Sequence, residues 1–201
     1  MEITWLGQNC FRLRGREAVA LTDPCPPTSG FKIGKVSADV VTISHEGAES
    51  NYRQAVQGDS KFVTAPGEYE IGGVLITGVR IRRDKKEGQA RNVAFVLDID
   101  DIRICHLGVL SQIPHADDVE ELVGLDVLLV PVGGGGSLDA RMAAETVSLL
   151  EPKVVIPMRF KTAGATGGLD GVERFLKEMG AESKTPENRL SITKSSVPAD
   201  T

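Results

Sequence analysis

Through the first hundred positions the chain sets short apolar or alternating runs between glycine, proline and aspartate, at 3–6, 10–14, 18–22, 40–44, 62–64, 74–81 and 93–99. β-Branched and aromatic residues fill many of these runs, which predicts strands joined by tight turns. A further strand is expected at 102–106, and beyond it the period changes. Residues 117–123, 138–150 and 169–179 repeat apolar positions at helical spacing, while 127–132, 154–158 and 190–193 read as strands. Gly180 ends the third helix, and Ser137 is placed to cap the second. Hairpins first, then alternating strand and helix, predict sheets packed on one another with helices outside, an α/β or α+β layered fold. The two halves share only a loose similarity.

Composition narrows the class. With 201 residues, 41% of them hydrophobic, the chain can bury one sizeable core, so a single domain over residues 1–201 is expected. A net charge of -5 excludes a general affinity for nucleic acid or an anionic membrane, both of which rest on positive charge. No run reaches the roughly 18–20 apolar residues that span a bilayer, and the first residues lack a basic segment ahead of an apolar one, so the expected location is cytoplasmic. Cys10, Cys25 and Cys105 form no CxxC pair and read as reduced packing thiols. The charged segment 82–91 reads as a surface loop. Gly133 to Gly136 lacks the Lys-Ser/Thr ending of a phosphate loop and reads as a strand-to-helix connection.

The stretch with most chemical content is 39–51, Asp-Val-Val-Thr-Ile-Ser-His-Glu-Gly-Ala-Glu-Ser-Asn, where an apolar strand delivers His45 into a loop. Around it stand Ile-Thr-Trp-Leu-Gly-Gln-Asn-Cys-Phe-Arg-Leu from residue 3, Leu-Thr-Asp-Pro from 21 and Pro-Gly-Glu-Tyr-Glu from 66. Ile-Cys-His-Leu-Gly follows from 104, Leu-Leu-Val-Pro-Val-Gly-Gly from 128 and Glu-Pro-Lys-Val-Val-Ile-Pro-Met from 151. In order and spacing these segments resemble the small metal-dependent hydrolases of the metallo-β-lactamase superfamily, in particular the lactonase-like branch that includes L-ascorbate-6-phosphate lactonase. The resemblance implies a four-layer αβ/βα sandwich with its active site in loops along one edge.

It also implies a ligand set, and this chain departs from it. Where the family carries His-x-His-x-Asp-His, only His45 stands, with Gly47, Glu49 and Ser50 at the other ligand positions. Arg83, Val109 and Arg159 occupy three further ligand positions, and Gln8 replaces a usual histidine. Two zinc ions need several imidazoles and a bridging carboxylate. No bound metal is therefore expected, with His45, Glu49 and Asp23 as weak candidates for one. Arginines facing former cation positions are expected to pair with Asp23 or Glu49, since a buried carboxylate without its cation is costly.

His106 is expected near the cleft as a hydrogen-bonded structural residue, and His115 at the surface. Cys25 is expected to border the cleft, with Glu68, Tyr69 and Glu70 shaping it. The favoured function is a non-catalytic pseudoenzyme that binds a small anionic molecule or a protein partner, needing no cofactor. The alternative is a lactonase or phosphoesterase with an altered mononuclear site, holding zinc or manganese. A homo-oligomer is compatible with either.

Overall fold

The computed structural model describes residues 1–81, 92–181 and 185–199. The expectation for Arg83 and the charged segment lies outside them.

Two mixed six-stranded sheets form the body. The first contains β1 (Glu2–Gly7), β2 (Cys10–Arg14), β3 (Val19–Thr22), β5 (Val40–Thr42) and β7 (Lys61–Val63), with β14 (Arg189–Ser191) on the outside of β1. The second runs in chain order from β8 (Gly67–Ile71) through β9 (Val74–Arg80), β10 (Val93–Ile99), β11 (Ile102–His106) and β12 (Val127–Pro131) to β13 (Val154–Met158). In both sheets antiparallel hairpins give way to parallel pairing, along β3, β5 and β7 in the first and β11, β12 and β13 in the second.

The continuous apolar strands are covered on both faces, as such sequences require. In β10, Val93, Phe95, Leu97 and Ile99 point to the core between the sheets, where they meet Phe11, Leu13 and Val40. Ala94 and Val96 point the other way, into a second core with helix residues. β12 divides likewise, Val127 and Leu129 inward, Leu128 and Val130 outward. Asp100 and Asp101, both left-handed with φ 53° and 65°, make the two-residue turn between β10 and β11, where the primed turn matches the strand twist.

The three α-helices of the described residues are α1 (Ala116–Glu120), α2 (Ala140–Leu150) and α3 (Glu173–Glu178). Ala140, Ala143, Val147 and Leu150 recur at helical spacing on α2 and pack in the outer core of the second sheet, as do Val119 of α1 and Phe175 of α3. Over the outer face of the first sheet the cover is of another kind: two single-turn 3-10 helices and the short parallel pair β4 (Val36–Ser37) and β6 (Val56–Gln57). There Val36, Phe31 and Val56 pack on Cys10, Leu21 and Ile43.

Some elements differ from their sequence expectation. Ser137 does not cap α2; its hydroxyl donates to Gly134 O at 2.7 Å, and Asp139 takes the cap by accepting from Met142 N at 2.9 Å. The helix expected from 169 begins only at Glu173, because Asp170 donates to Gly133 O and accepts from Lys161 N, which holds it extended. The helix expected over 117–123 stops at Glu120. No described helix is long and apolar enough to cross a membrane.

Candidate functional site

The loops after β3, β5, β11 and β13 carry Asp23, His45, Val109 and Arg159, and they meet at the carboxyl ends of the parallel strands, where open α/β sheets place their ligands. Among the described residues, six that are not glycine have positive φ. Asp100 and Asp101 form a turn, and Glu151 ends α2. The other three, Gln8 (50°), Asp23 (35°) and Arg159 (51°), are all at this convergence. Gln8 lies in the tight turn between β1 and β2, while Asp23 and Arg159 stand just past the ends of β3 and β13, where positive φ in a non-glycine residue is the kind of strain that clusters at functional sites.

Asp23 is the buried centre, with no exposed surface. Its Oδ1 accepts the Ser44 backbone N–H at 2.7 Å, and its Oδ2 pairs with the Ser44 hydroxyl at 2.5 Å. Burial pushes its pKa up to about 7; the Ser44 bonds, the Ser50 hydroxyl and the Arg159 charge oppose that rise. Ser50 acts from nearby without a hydrogen bond of regular geometry.

In the 45–50 loop, His45 Nδ1 accepts the Gly47 N–H at 2.9 Å and lies 3.8 Å from Glu49 Oε1. A Cβ on Gly47 would stand 2.1 Å from His45 Cε1 and 2.5 Å from Glu49 Oε2. The histidine and the glutamate thus fold over the space that a side chain at 47 would need. Ser50 is buried behind them, its N–H donating to Gly47 O at 3.0 Å.

Val109 is 6% exposed and tied down through its backbone: its N–H donates to Asn92 Oδ1 at 2.9 Å, and Asn92 Nδ2 donates to Leu107 O at 3.0 Å. Gly108, at φ 61°, brings this turn so close that a Cβ would be 2.3 Å from Ser44 Oγ. His106 is fully buried and faces away from solvent, with Phe11 edge-on to its ring. Burial lowers its pKa to about 4, so it is neutral; since Asn9 O can only accept, Nε2 carries the proton and donates to it at 2.9 Å.

Arg159 closes the site from the second sheet. Its backbone N–H donates to Gln8 O at 3.2 Å, the same oxygen that accepts Trp5 Nε1 at 3.0 Å, and Trp5 stacks on Phe160 at 5.4 Å. The expected contact pair with a carboxylate does not form: among the described residues Arg159 has no ion pair within 4.0 Å, and Nη2 donates to Gly135 O at 3.4 Å instead. Gly135 lies beyond β12, and reaching its carbonyl draws the guanidinium out of contact range of the carboxylates. Burial lowers the arginine's pKa, while the charges of Glu49 and Asp23 raise it, so the attraction acts across a gap.

Gln8, Glu49 and Arg159 line one cavity of about 280 Å³ with Pro26, Ser29 and Thr166. Its far wall is a seam between two loops, where Thr166 donates through its backbone to Ser29 O (3.2 Å) and through its hydroxyl to Thr28 O (3.0 Å). The structure therefore gathers Gln8, Asp23, His45, Gly47, Glu49, Ser50, Val109 and Arg159 about one edge. His106 sits behind them in the core, and His115 caps α1 at the surface. Ser44, Asn92 and Thr166 carry no signal in the sequence that marks them for the site. Ser44 adjoins His45, but its grip on Asp23 depends on the pairing of β3 with β5.

A family model described as the beta-lactamase superfamily domain matches residues 2–159. A UPF0173 protein from Pyrococcus furiosus is 29% identical over 89% of this chain and 90% of its own length. A UPF0173 metal-dependent hydrolase from Thermococcus onnurineus is 25% identical over 81% of this chain and 85% of its own. A crystal structure from Thermotoga maritima, described as a candidate Zn-dependent hydrolase of the metallo-β-lactamase superfamily, superposes with a TM-score of 0.82 at 36% identity, covering 99% of this chain and 94% of that one. The span matched by the family model takes in eleven of the twelve strands of the two large sheets and the loops that carry Gln8, Asp23, His45, Val109 and Arg159, while the far wall at Thr166 lies beyond it but within the span that superposes on the crystal structure. The chain belongs to the metallo-β-lactamase superfamily, alongside the proteins named UPF0173 metal-dependent hydrolases.

Proposed function

We propose that this chain is a non-catalytic member of its superfamily that binds a small anion in the 280 Å³ cleft, with Arg159 supplying the positive charge. The observation that supports this most directly is the guanidinium itself, half-buried on the cleft wall within electrostatic reach of Glu49 and Asp23. A fixed cation on a partly desolvated surface suits an oxyanion, which it can meet with paired donors.

The residues present do not fit a binuclear zinc centre. On this reading Val109, an apolar side chain, stands where the family resemblance implies a bridging carboxylate, and Gly47 and Ser50 stand where it implies imidazoles, which leaves too few strong donors for two zinc ions.

The relatives' names favour a second reading more directly than the first: a metal-dependent hydrolase with an altered mononuclear site at His45, Glu49 and Asp23, holding zinc or manganese. Elemental analysis after chelator-free purification separates the two. Under the first reading metal is well below one equivalent, acetate binds by calorimetry, and Arg159→Met weakens it at least tenfold. One equivalent of zinc or manganese together with lactonase or phosphoesterase turnover would establish the second.

A further inference from the structure

Two polar atoms of residues lining the cavity are buried and have no hydrogen-bond partner among the described residues: Gln8 Oε1 and Arg159 Nε. Buried polar atoms are nearly always satisfied, so a pair left open on one wall calls for an explanation. Gln8 is 5% exposed, and the β1–β2 turn, where its φ is 50°, places it on the cavity lining. One of the two atoms accepts and the other donates. Glu49, on the same wall, adds a second acceptor.

Among the described residues lining this cavity Arg159 is the single cation, and two carboxyl groups, those of Glu49 and Asp23, act on it. A ligand with two negative charges would meet one guanidinium and two acids. A ligand with one negative charge and a nearby N–H or O–H would meet complementary groups throughout: its oxyanion at Arg159, its donor at Gln8 Oε1 or Glu49. The volume, at the lower end of small-molecule sites, favours a compact molecule.

We infer that the cleft selects a small monocarboxylate bearing a hydroxyl or ammonium group beside the carboxylate, and discriminates against phosphate. This rests on the anion-binding reading above and narrows it to a ligand class.

Calorimetry with four probes tests it: propionate, lactate, alanine and inorganic phosphate. Lactate and propionate differ by one hydroxyl, alanine and propionate by one ammonium. At least one of lactate and alanine is expected to bind ten times or more tighter than propionate, and phosphate at least ten times weaker than that ligand. Gln8→Asn, which withdraws the carbonyl yet tolerates the left-handed backbone, or Glu49→Gln should bring the ratio to propionate within threefold of unity. Arg159→Met should remove binding of every carboxylate.

Equal affinity for all three carboxylates, or tightest binding of phosphate, would overturn the ligand class while leaving anion binding at Arg159 in place. A selectivity that survives both the Gln8 and the Glu49 variants would also overturn it. Failure of every probe, or binding indifferent to Arg159→Met, would overturn the anion-binding reading itself.

Discussion

Replacing Asp23 by asparagine should remove a pH dependence of stability that runs opposite to the one usual for a paired carboxylate. The folded group titrates near pH 7 against an ordinary 3.8, chiefly because it is buried. Between those values the folded chain keeps a proton that the unfolded chain has released, so the contribution to stability is full below 3.8 and is lost as pH rises through about 7. At about 1.4 kcal/mol per pH unit, a raised interval of roughly three units amounts to about 4 kcal/mol. Asparagine keeps the geometry of the protonated acid: its carbonyl can accept from Ser44 N–H and its amide can donate to Ser44 Oγ. Urea unfolding of both proteins from pH 4 to pH 8.5 isolates the effect, since every other ionisable group contributes to both. The wild type should lose about 4 kcal/mol relative to Asp23→Asn over that range. A difference that stays constant with pH, or a wild type that gains with rising pH, would refute the argument that burial outweighs Ser44 and Arg159.

His106→Gln should reveal the opposite slope. The folded imidazole titrates near 4 rather than 6.5, so its contribution is present above 6.5 and is lost as pH falls toward 4; the wild type should lose about 3 kcal/mol relative to the variant over that window, again by urea unfolding. Arg159→Met takes away a charge that lowers the Asp23 pKa in the folded chain, so the pH at which the growing gap between Asp23→Asn and its parent levels off, measured in the Arg159→Met background, should move upward; an unmoved plateau would show that the guanidinium is screened from Asp23. Gly108→Ala should destabilise by about 2 kcal/mol or more, because a left-handed alanine costs roughly 1–2 kcal/mol before the contact with Ser44 Oγ is counted. An unchanged urea midpoint there would mean that the 107–109 turn can move away from Ser44.

Strands that are apolar throughout are the most legible part of this chain. β10 and β11 lie where the pattern puts them, because Val93 to Ile99 satisfies two cores at once and the two aspartates between the strands suit a primed turn. β8 escapes the hydrophobic pattern because Gly-Glu-Tyr-Glu-Ile is an edge strand with no fully buried position, and only its likeness to a family hairpin points to it. The late start of α3 is illegible for another reason: Leu169 stands at helical spacing from Val172 and Leu176, yet the backbone of Asp170 beside it is committed to Gly133 and Lys161, a contact between distant segments. At the site, the loop positions of His45, Glu49, Val109 and Arg159 can be read from the ends of strands. The direction of the Arg159 side chain cannot, since it depends on a carbonyl 24 residues away in the Gly133 to Gly136 connection.

That direction bears on how the cleft settles its buried acid. A carboxyl group removed from water can be balanced by a cation, by a contact ion pair or by a proton. Among the described residues neither a contact arginine nor a neighbouring lysine pairs with Asp23; two hydrogen bonds from Ser44 hold the acid in place, and a distant guanidinium only moderates its affinity for a proton. Arg159 makes no contact pair with Asp23, and its Nε has no hydrogen-bond partner among the described residues, which is the opening on which the proposed carboxylate site rests. His106, neutral and bonded to Asn9 O, holds the first β-turn from the core side while Arg159 N–H and Trp5 Nε1 hold Gln8 O from the cleft side. The turn that carries Gln8 is thus clamped from two directions, which keeps its left-handed backbone in one conformation; the proposed ligand site would then find its acceptor already in place.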